Sequence, residues 1–128
     1  MKKVREIIFR GKRVDNGEWV YGSLSMEYFD ECGCVMISPT SDICYKVDPQ
    51  TVGQFTGLIN IDREKVYEGD ILQFVAYGIH YTGKVEFLNG AFWVKCRFPE
   101  RIGAVVREYK ARVVGNVYDN PKLLEVRQ

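Results

Sequence analysis

Apolar and polar positions alternate with a period of two over much of the chain. The alternation is clearest at 81–98, where Asn89-Gly90 separates two alternating runs. Asn and Gly both tolerate positive φ, so this pair predicts a two-residue hairpin loop of type I′. Such a loop sets Leu88 against Ala91, Phe87 against Phe92, Glu86 against Trp93, Val85 against Val94 and Lys84 against Lys95. One face then carries Val85, Phe87, Phe92, Val94, Cys96 and Phe98 and belongs to the core. The other carries Lys84, Glu86, Trp93, Lys95 and Arg97. A second hairpin is predicted over 4–24, with Asp15-Asn16-Gly17 as its turn and Trp19 and Tyr21 on one strand face.

The remaining segments are shorter. Residues 25–34 read as a loop, Val35–Ser38 and Ile43–Val47 as strands, and Asp48-Pro49 as a turn. Residues 51–59 form a strand whose glycines suggest bends, and Glu68-Gly69-Asp70 turns into a strand over Ile71–Ala76. The period changes at 99–111, where Ile102, Val105, Val106 and Tyr109 have helical spacing and Pro99 suits a first helical turn. Gly103 and the two valines weaken that helix, and strand remains open there. Val113–Tyr118 is a last strand, and Asn120 caps a short helix beginning at Pro121 and containing Leu123 and Leu124. The expected fold is mainly β with minor α. It is a partly closed barrel or a strongly bent antiparallel sheet with one or two short helices, in one domain over 1–128.

Composition agrees. The 128 residues are 46% apolar and 27% charged, and the 8 Tyr, 7 Phe and 12 Gly favour strands and turns. No apolar run approaches the roughly 20 residues that cross a bilayer. The basic N-terminus lacks the apolar stretch of a signal peptide, because Glu6, Arg10, Lys12 and Arg13 interrupt it. The expectation is therefore a cytoplasmic protein, without a membrane, whose Cys32, Cys34, Cys44 and Cys96 stay reduced. The net charge of +1 is unevenly placed: +5 over 1–13, −8 over 14–94 and +4 over 95–112. Two basic ends make one basic patch if they meet in space.

Chemical motifs are sparse. Cys32-x-Cys34 with Cys44 ten residues on matches a structural zinc site poorly, and Cys96 falls on the apolar hairpin face as a packed thiol. His80 is the sole histidine, in a strand, with no nucleophile beside it. Glu68 and Asp70 resemble an acid–base pair, but flanking Gly69 they read as turn chemistry. No phosphate-binding glycine loop is present. The expectation is no catalytic residue, no metal and no cofactor. The surface with chemical character is Lys84, Trp93, Lys95 and Arg97, where an aromatic beside cations suits a single-stranded phosphate backbone and stacked bases. Lys84 directly opposite Lys95 costs a few tenths of a kcal/mol that an anionic partner would relieve.

Three stretches together resemble the YopX family of bacteriophage and prophage proteins. They are Arg5–Gly11 with Trp19-Val20-Tyr21-Gly22-Ser23, Thr51–Leu58 followed by Val66-Tyr67-Glu68-Gly69-Asp70-Ile71, and Val114–Pro121 with Leu123 and Leu124. The family usually has an Asn-Gly-like turn between the halves of the central motif, where this chain reads Asp62-Arg63-Glu64-Lys65. The resemblance implies a β-rich fold, a mobile-element origin and a bacterial cytoplasm, with no activity or catalytic residue to carry over. The functional expectation is a non-catalytic, self-associating interaction module that forms a homo-oligomer, with Trp19, Tyr21 and Trp93 as interface anchors. The alternative is a nucleic-acid-binding β-domain using the Trp93 face. Whether a small-molecule ligand binds is not specified by the sequence.

Overall fold

The computed structural model describes the backbone of residues 5–29, 32–97 and 99–125, with side chains at 27–29 and 32–34 outside the description. The fold is mainly β, as the patterning requires: 57% of the chain is strand and 13% helical. The strands form two antiparallel sheets, and among the described residues neither closes into a barrel. The chain divides into two compact units, Met1–Phe55 and Thr56–Gln128.

In the first unit, β1 (Phe9–Lys12) pairs with β2 (Trp19–Phe29), placing Lys12 opposite Trp19 and Arg10 opposite Tyr21. The predicted turn joins them, with Asn16 Oδ1 accepting the Glu18 N–H at 3.0 Å. β2 then changes partners: its first four residues pair with β1, and Ser23–Phe29 pair with β3 (Cys32–Thr40). Gly22 stands at the change, where a Cβ would lie 2.1 Å from the Ser38 carbonyl oxygen. Only a residue without a side chain admits that approach, which is how a strand turns a corner between partners.

The loop expected over 25–34 is corrected here. Strand continues to Phe29 and resumes at Cys32, with residues 30–31 outside the described part. The alternation of Leu24 and Met26 with Ser23 and Ser25 already has strand period, and pairing with β3 extends it. β4 (Ile43–Val47) follows as predicted. It curls back so that Val47 bridges Arg13 just past β1, with the Val14 N–H donating to the Lys46 carbonyl at 3.1 Å. Ile37 and Val47 fill the interior, 0% and 1% exposed. Asp48 then caps a 3-10 turn, Pro49–Thr51, by accepting the Gln50 N–H at 3.0 Å. β5 (Gly53–Ile59) begins against β1.

The second unit takes the rest of β5, which pairs with β6 (Lys65–Tyr67). Between them Asn60 Oδ1 accepts the N–H groups of Asp62 and Glu64 at 3.0 and 2.9 Å, and Arg63 takes φ +62°. The departure from an Asn-Gly turn is thus absorbed by Asn60, two residues ahead of Asp62, and by a left-handed Arg63. A five-stranded sheet follows in the order β10-β9-β8-β7-β11. Its strands are β7 (Asp70–Ala76), β8 (Ile79–Leu88), β9 (Ala91–Lys95), β10 (Pro99–Arg101) and β11 (Arg112–Asn116). The β8–β9 register is the one the Asn-Gly loop demands, pair for pair.

One face of this sheet is the core: Leu72, Phe74, Ala76, Tyr81, Val85 and Val94 pack with Val66, Val105, Val106 and Ala111. Burying each of the larger apolar side chains contributes about 1.5–3 kcal/mol. The expected apolar face of the hairpin loses its grip toward the tip, where Phe87 is 48% exposed. The segment 99–111 resolves as both alternatives in turn. Pro99 starts edge strand β10 rather than a helix, which suits a residue that cannot donate to a ladder. Ala104–Glu108 then forms a single π turn in which Val105 and Val106 are buried, with the Tyr109 N–H reaching back five residues to the Ala104 carbonyl. A 3-10 turn, Pro121–Glu125, follows β11. Asn120 does not cap it with its side chain; its Oδ1 accepts the Asn116 N–H at 3.2 Å instead. No helix among the described residues is long and apolar enough to cross a membrane.

Candidate functional site

In an antiparallel sheet, residues directly opposite one another share a face. On the side away from the core the registers align Lys84 with Lys95, Pro99 and the buried Ile71, Glu86 with Trp93 and Arg101, Thr82 with Gln73 and Arg112, and His80 with Val75. The predicted trio Lys84, Trp93 and Lys95 therefore shares this outer face. Arg97 does not join them on the strand, because β9 ends at Lys95 and Arg97 sits exposed in the bend beyond. Arg101 takes its place: β10 folds back along β9 and brings the guanidinium carbon within 5.7 Å of the Trp93 ring centre.

The charges on the face are arranged unevenly. Lys84 Nζ lies 2.8 Å from Glu86 Oε1, so the one carboxylate in these registers among the described residues is engaged by one lysine. Lys95 and Arg101 remain exposed on either side of Trp93, and Arg112 at the far edge is 3.8 Å from Asp62. The Trp93 indole N–H donates to the Leu88 carbonyl at 3.1 Å, which orients the ring without a solvent partner. The face offers an oriented, half-buried aromatic ring flanked by exposed cations. That combination can stack a planar group and neutralise phosphates.

The other sequence candidates fall elsewhere. Asp70, 2% exposed, accepts the Tyr67 N–H through Oδ2 at 2.7 Å, and Gly69 between the two carboxylates takes φ +93°. The turn reading of Glu68-Gly69-Asp70 thus has its hydrogen bond. His80 is exposed on the outer face opposite Val75. Cys44 is exposed and Cys96 half-buried against the core, while the zinc candidates Cys32 and Cys34 lie outside the described side chains. No three His, Cys, Asp or Glu residues gather as cation ligands among the described residues. In the first unit, Arg10 and Lys12 lie over the Trp19 ring at 4.8 and 5.5 Å, and Arg13 lies over Tyr45 while bonding Asp15 at 2.9 Å. The Arg13 hydrogen bond holds the Asp15 carboxyl below the usual carboxylate range.

Two antiparallel sheets, a strand that changes partners at a glycine corner, and turns organised by Asn60, Asp70 and Asn116 define a mainly β protein. The family model described as YopX protein matches residues 8–125, and the chain belongs to the YopX family. The chain is also similar to a solved structure described as the crystal structure of protein EF1440 from Enterococcus faecalis. The two share 17% identity and a TM-score of 0.60 over 94% of this chain and 99% of that one, a likeness of fold. No curated protein matches. The stretches that carry the family resemblance supply corners and turns, Gly22, Glu68-Gly69-Asp70 and Asn116–Asn120 among them. Lys84, Trp93, Lys95 and Arg101 all fall outside those stretches.

Proposed function

We propose that the protein is a non-catalytic binding module that holds single-stranded nucleic acid across the outer face of its five-stranded sheet. The carrying observation is the registered alignment of Lys84, Trp93 and Lys95 with Arg101 brought over the indole. Trp93 stacks a base in exchange for, or alongside, Arg101, and Lys95 and Arg101 take the flanking phosphates. The phage or prophage origin implied by the resemblance fits such a role in a bacterial cytoplasm. Fluorescence anisotropy with labelled single-stranded DNA, duplex DNA and RNA, at low and high salt, tests this. Micromolar binding to single strands that weakens steeply with salt is expected. Absence of binding at low salt removes the reading.

A second reading, self-association, has its own observation. Phe87 and Leu88 are 48% and 49% exposed at the β8–β9 hairpin tip, with the Phe87 and Phe92 rings 5.0 Å apart. Such an apolar end suits a second copy of the chain. A homo-oligomer seen by sedimentation velocity that dissociates in a Phe87→Ser, Leu88→Ser variant supports it; a monomer at high concentration counts against it.

A further inference from the structure

The core side of the same sheet opens at one end into a small cavity of about 140 Å³, lined by Phe74, Ala76, Tyr77, Tyr81, Cys96 and Glu100. Among the described residues its lining is aromatic and aliphatic apart from the Cys96 thiol and one charged residue, Glu100. Phe74 stacks on Tyr81 with ring centres 5.4 Å apart and on Tyr109 at 5.8 Å, and Tyr77 meets Tyr109 edge-on at 6.2 Å. The Tyr109 hydroxyl donates to the Tyr77 hydroxyl across 3.4 Å, tying the mouth of the cavity to the residue that follows the π turn.

Tyr77 adds an independent sign. It is 88% exposed and occupies the first position of the two-residue β7–β8 turn with φ +53°. The β8–β9 turn puts Asn89 at the same position with φ +52°. A bulky side chain in the left-handed region is disfavoured, and apart from its edge contact and hydroxyl bond with Tyr109 the Tyr77 ring faces solvent. A strained, exposed ring at the rim of an aromatic cavity is better explained by a ligand than by the turn.

We infer that this cavity binds a trimethylammonium head group. Tyr77 and Tyr81 are the lining rings that can turn a π face to a cation, Phe74 being stacked between Tyr81 and Tyr109, and the cation's methyl groups suit walls that offer few hydrogen bonds. Glu100 supplies the opposite charge at the rim. A primary ammonium, which needs several acceptors, is served poorly by one carboxylate, and an anion is repelled by it. The volume is close to that of a cavity that admits benzene, and a trimethylammonium group is of about that size. The site stands on residues separate from Lys84, Trp93, Lys95 and Arg101, so it holds or falls independently of the nucleic-acid reading.

Calorimetry or NMR titration of the full chain with choline tests the inference, alongside its neutral carbon isostere, in which a tert-butyl group replaces trimethylammonium. Choline is expected to bind saturably and about tenfold tighter than the isostere. Glu100→Gln is expected to bring choline down toward the isostere, and Tyr77→Ala to weaken both. An N-acetylated trimethyllysine amide separates the two sources of this chemistry: tighter binding of choline points to a free small molecule, tighter binding of the amide to a modified side chain, and either ranking supports the site. No saturable binding of any of the three, or equal binding of choline and its isostere to the unaltered protein, overturns it. The isostere comparison needs no variant, so it decides the matter even if a substitution disturbs folding.

Discussion

The two faces of the five-stranded sheet differ in charge for a reason that can be traced to two consecutive residues. Strand β10 sets Glu100 opposite Val94 and Arg101 opposite Trp93. Because neighbours on a strand point to opposite sides, one carboxylate goes to the aromatic cavity and one guanidinium to the tryptophan face. Strand β10 thus adds one sign of charge beside the rings of each face, and the two proposed sites would take ligands of opposite charge. A three-residue edge strand is enough to distribute this, since the strands beneath it already separate the core side from the outer side.

The largest effect comes from breaking the partition itself. Val94 is 0% exposed and lies between the two sites, directly opposite Val85 and Glu100. Val94→Asp buries a carboxylate with no partner beside an existing one, and destabilisation of about 3–5 kcal/mol is expected. Chemical denaturation should show it, with both binding activities lost together. A stable Val94→Asp protein would mean that the hairpin core contributes little.

Next come exchanges that should separate the faces. Arg101→Glu is expected to weaken single-stranded nucleic acid by about tenfold or more at low salt, by removing one phosphate contact and adding repulsion. Choline binding should change little. Glu100→Gln should do the reverse. If both substitutions weaken both ligands equally, the two faces are not independent sites.

The two turns offer a smaller effect, with the sign favouring stability. Asn89 and Tyr77 hold the same left-handed conformation in turns of the same length. Tyr77→Asn should relieve about 0.5–1 kcal/mol of turn strain, since Asn tolerates positive φ, offset in part by the lost Tyr109 contact, while weakening choline binding. Stabilisation with undiminished choline binding would leave Tyr77 as a turn residue only.

How much of this was legible depends on the range of the interactions involved. The β8–β9 hairpin was readable because a two-residue Asn-Gly loop fixes register locally, and register fixes which side Lys84, Trp93 and Lys95 take. The extension of β2 and β3 was missed because acidic residues and Gly33 resemble a loop, although Leu24 and Met26 kept strand period. At Pro99 the sequence leaves helix and strand open because its fixed φ suits both a first helical turn and an edge strand, and only pairing with Lys95 decides between them. The same pairing explains why Arg101 replaces Arg97 beside Trp93. The aromatic cavity joins β7, β8, β9 and β10, so nothing in any one stretch announces it. Its local trace in the sequence is a Tyr preceding Gly78 at a position where Asn, Asp or Gly is preferred.

The smallest expected effect reports on the cavity rim through protons. The Tyr77 hydroxyl bond, then burial, then the negative charges of Tyr77, Glu100 and Glu108 push the Tyr109 phenol up to about 12 from its ordinary 10. A raised folded pKa means that the folded state holds this proton when the unfolded chain has released it. The resulting stability is complete below pH 10 and is lost as pH rises from there toward 12. Tyr77→Phe removes the leading cause while retaining the ring, so the Tyr109 phenol should titrate nearer its ordinary value and the alkaline loss should flatten. Phenolate absorbance followed against pH in both proteins measures this. An unchanged titration in Tyr77→Phe would show that the two hydroxyls are not bonded in solution and that the rim is held by ring packing alone.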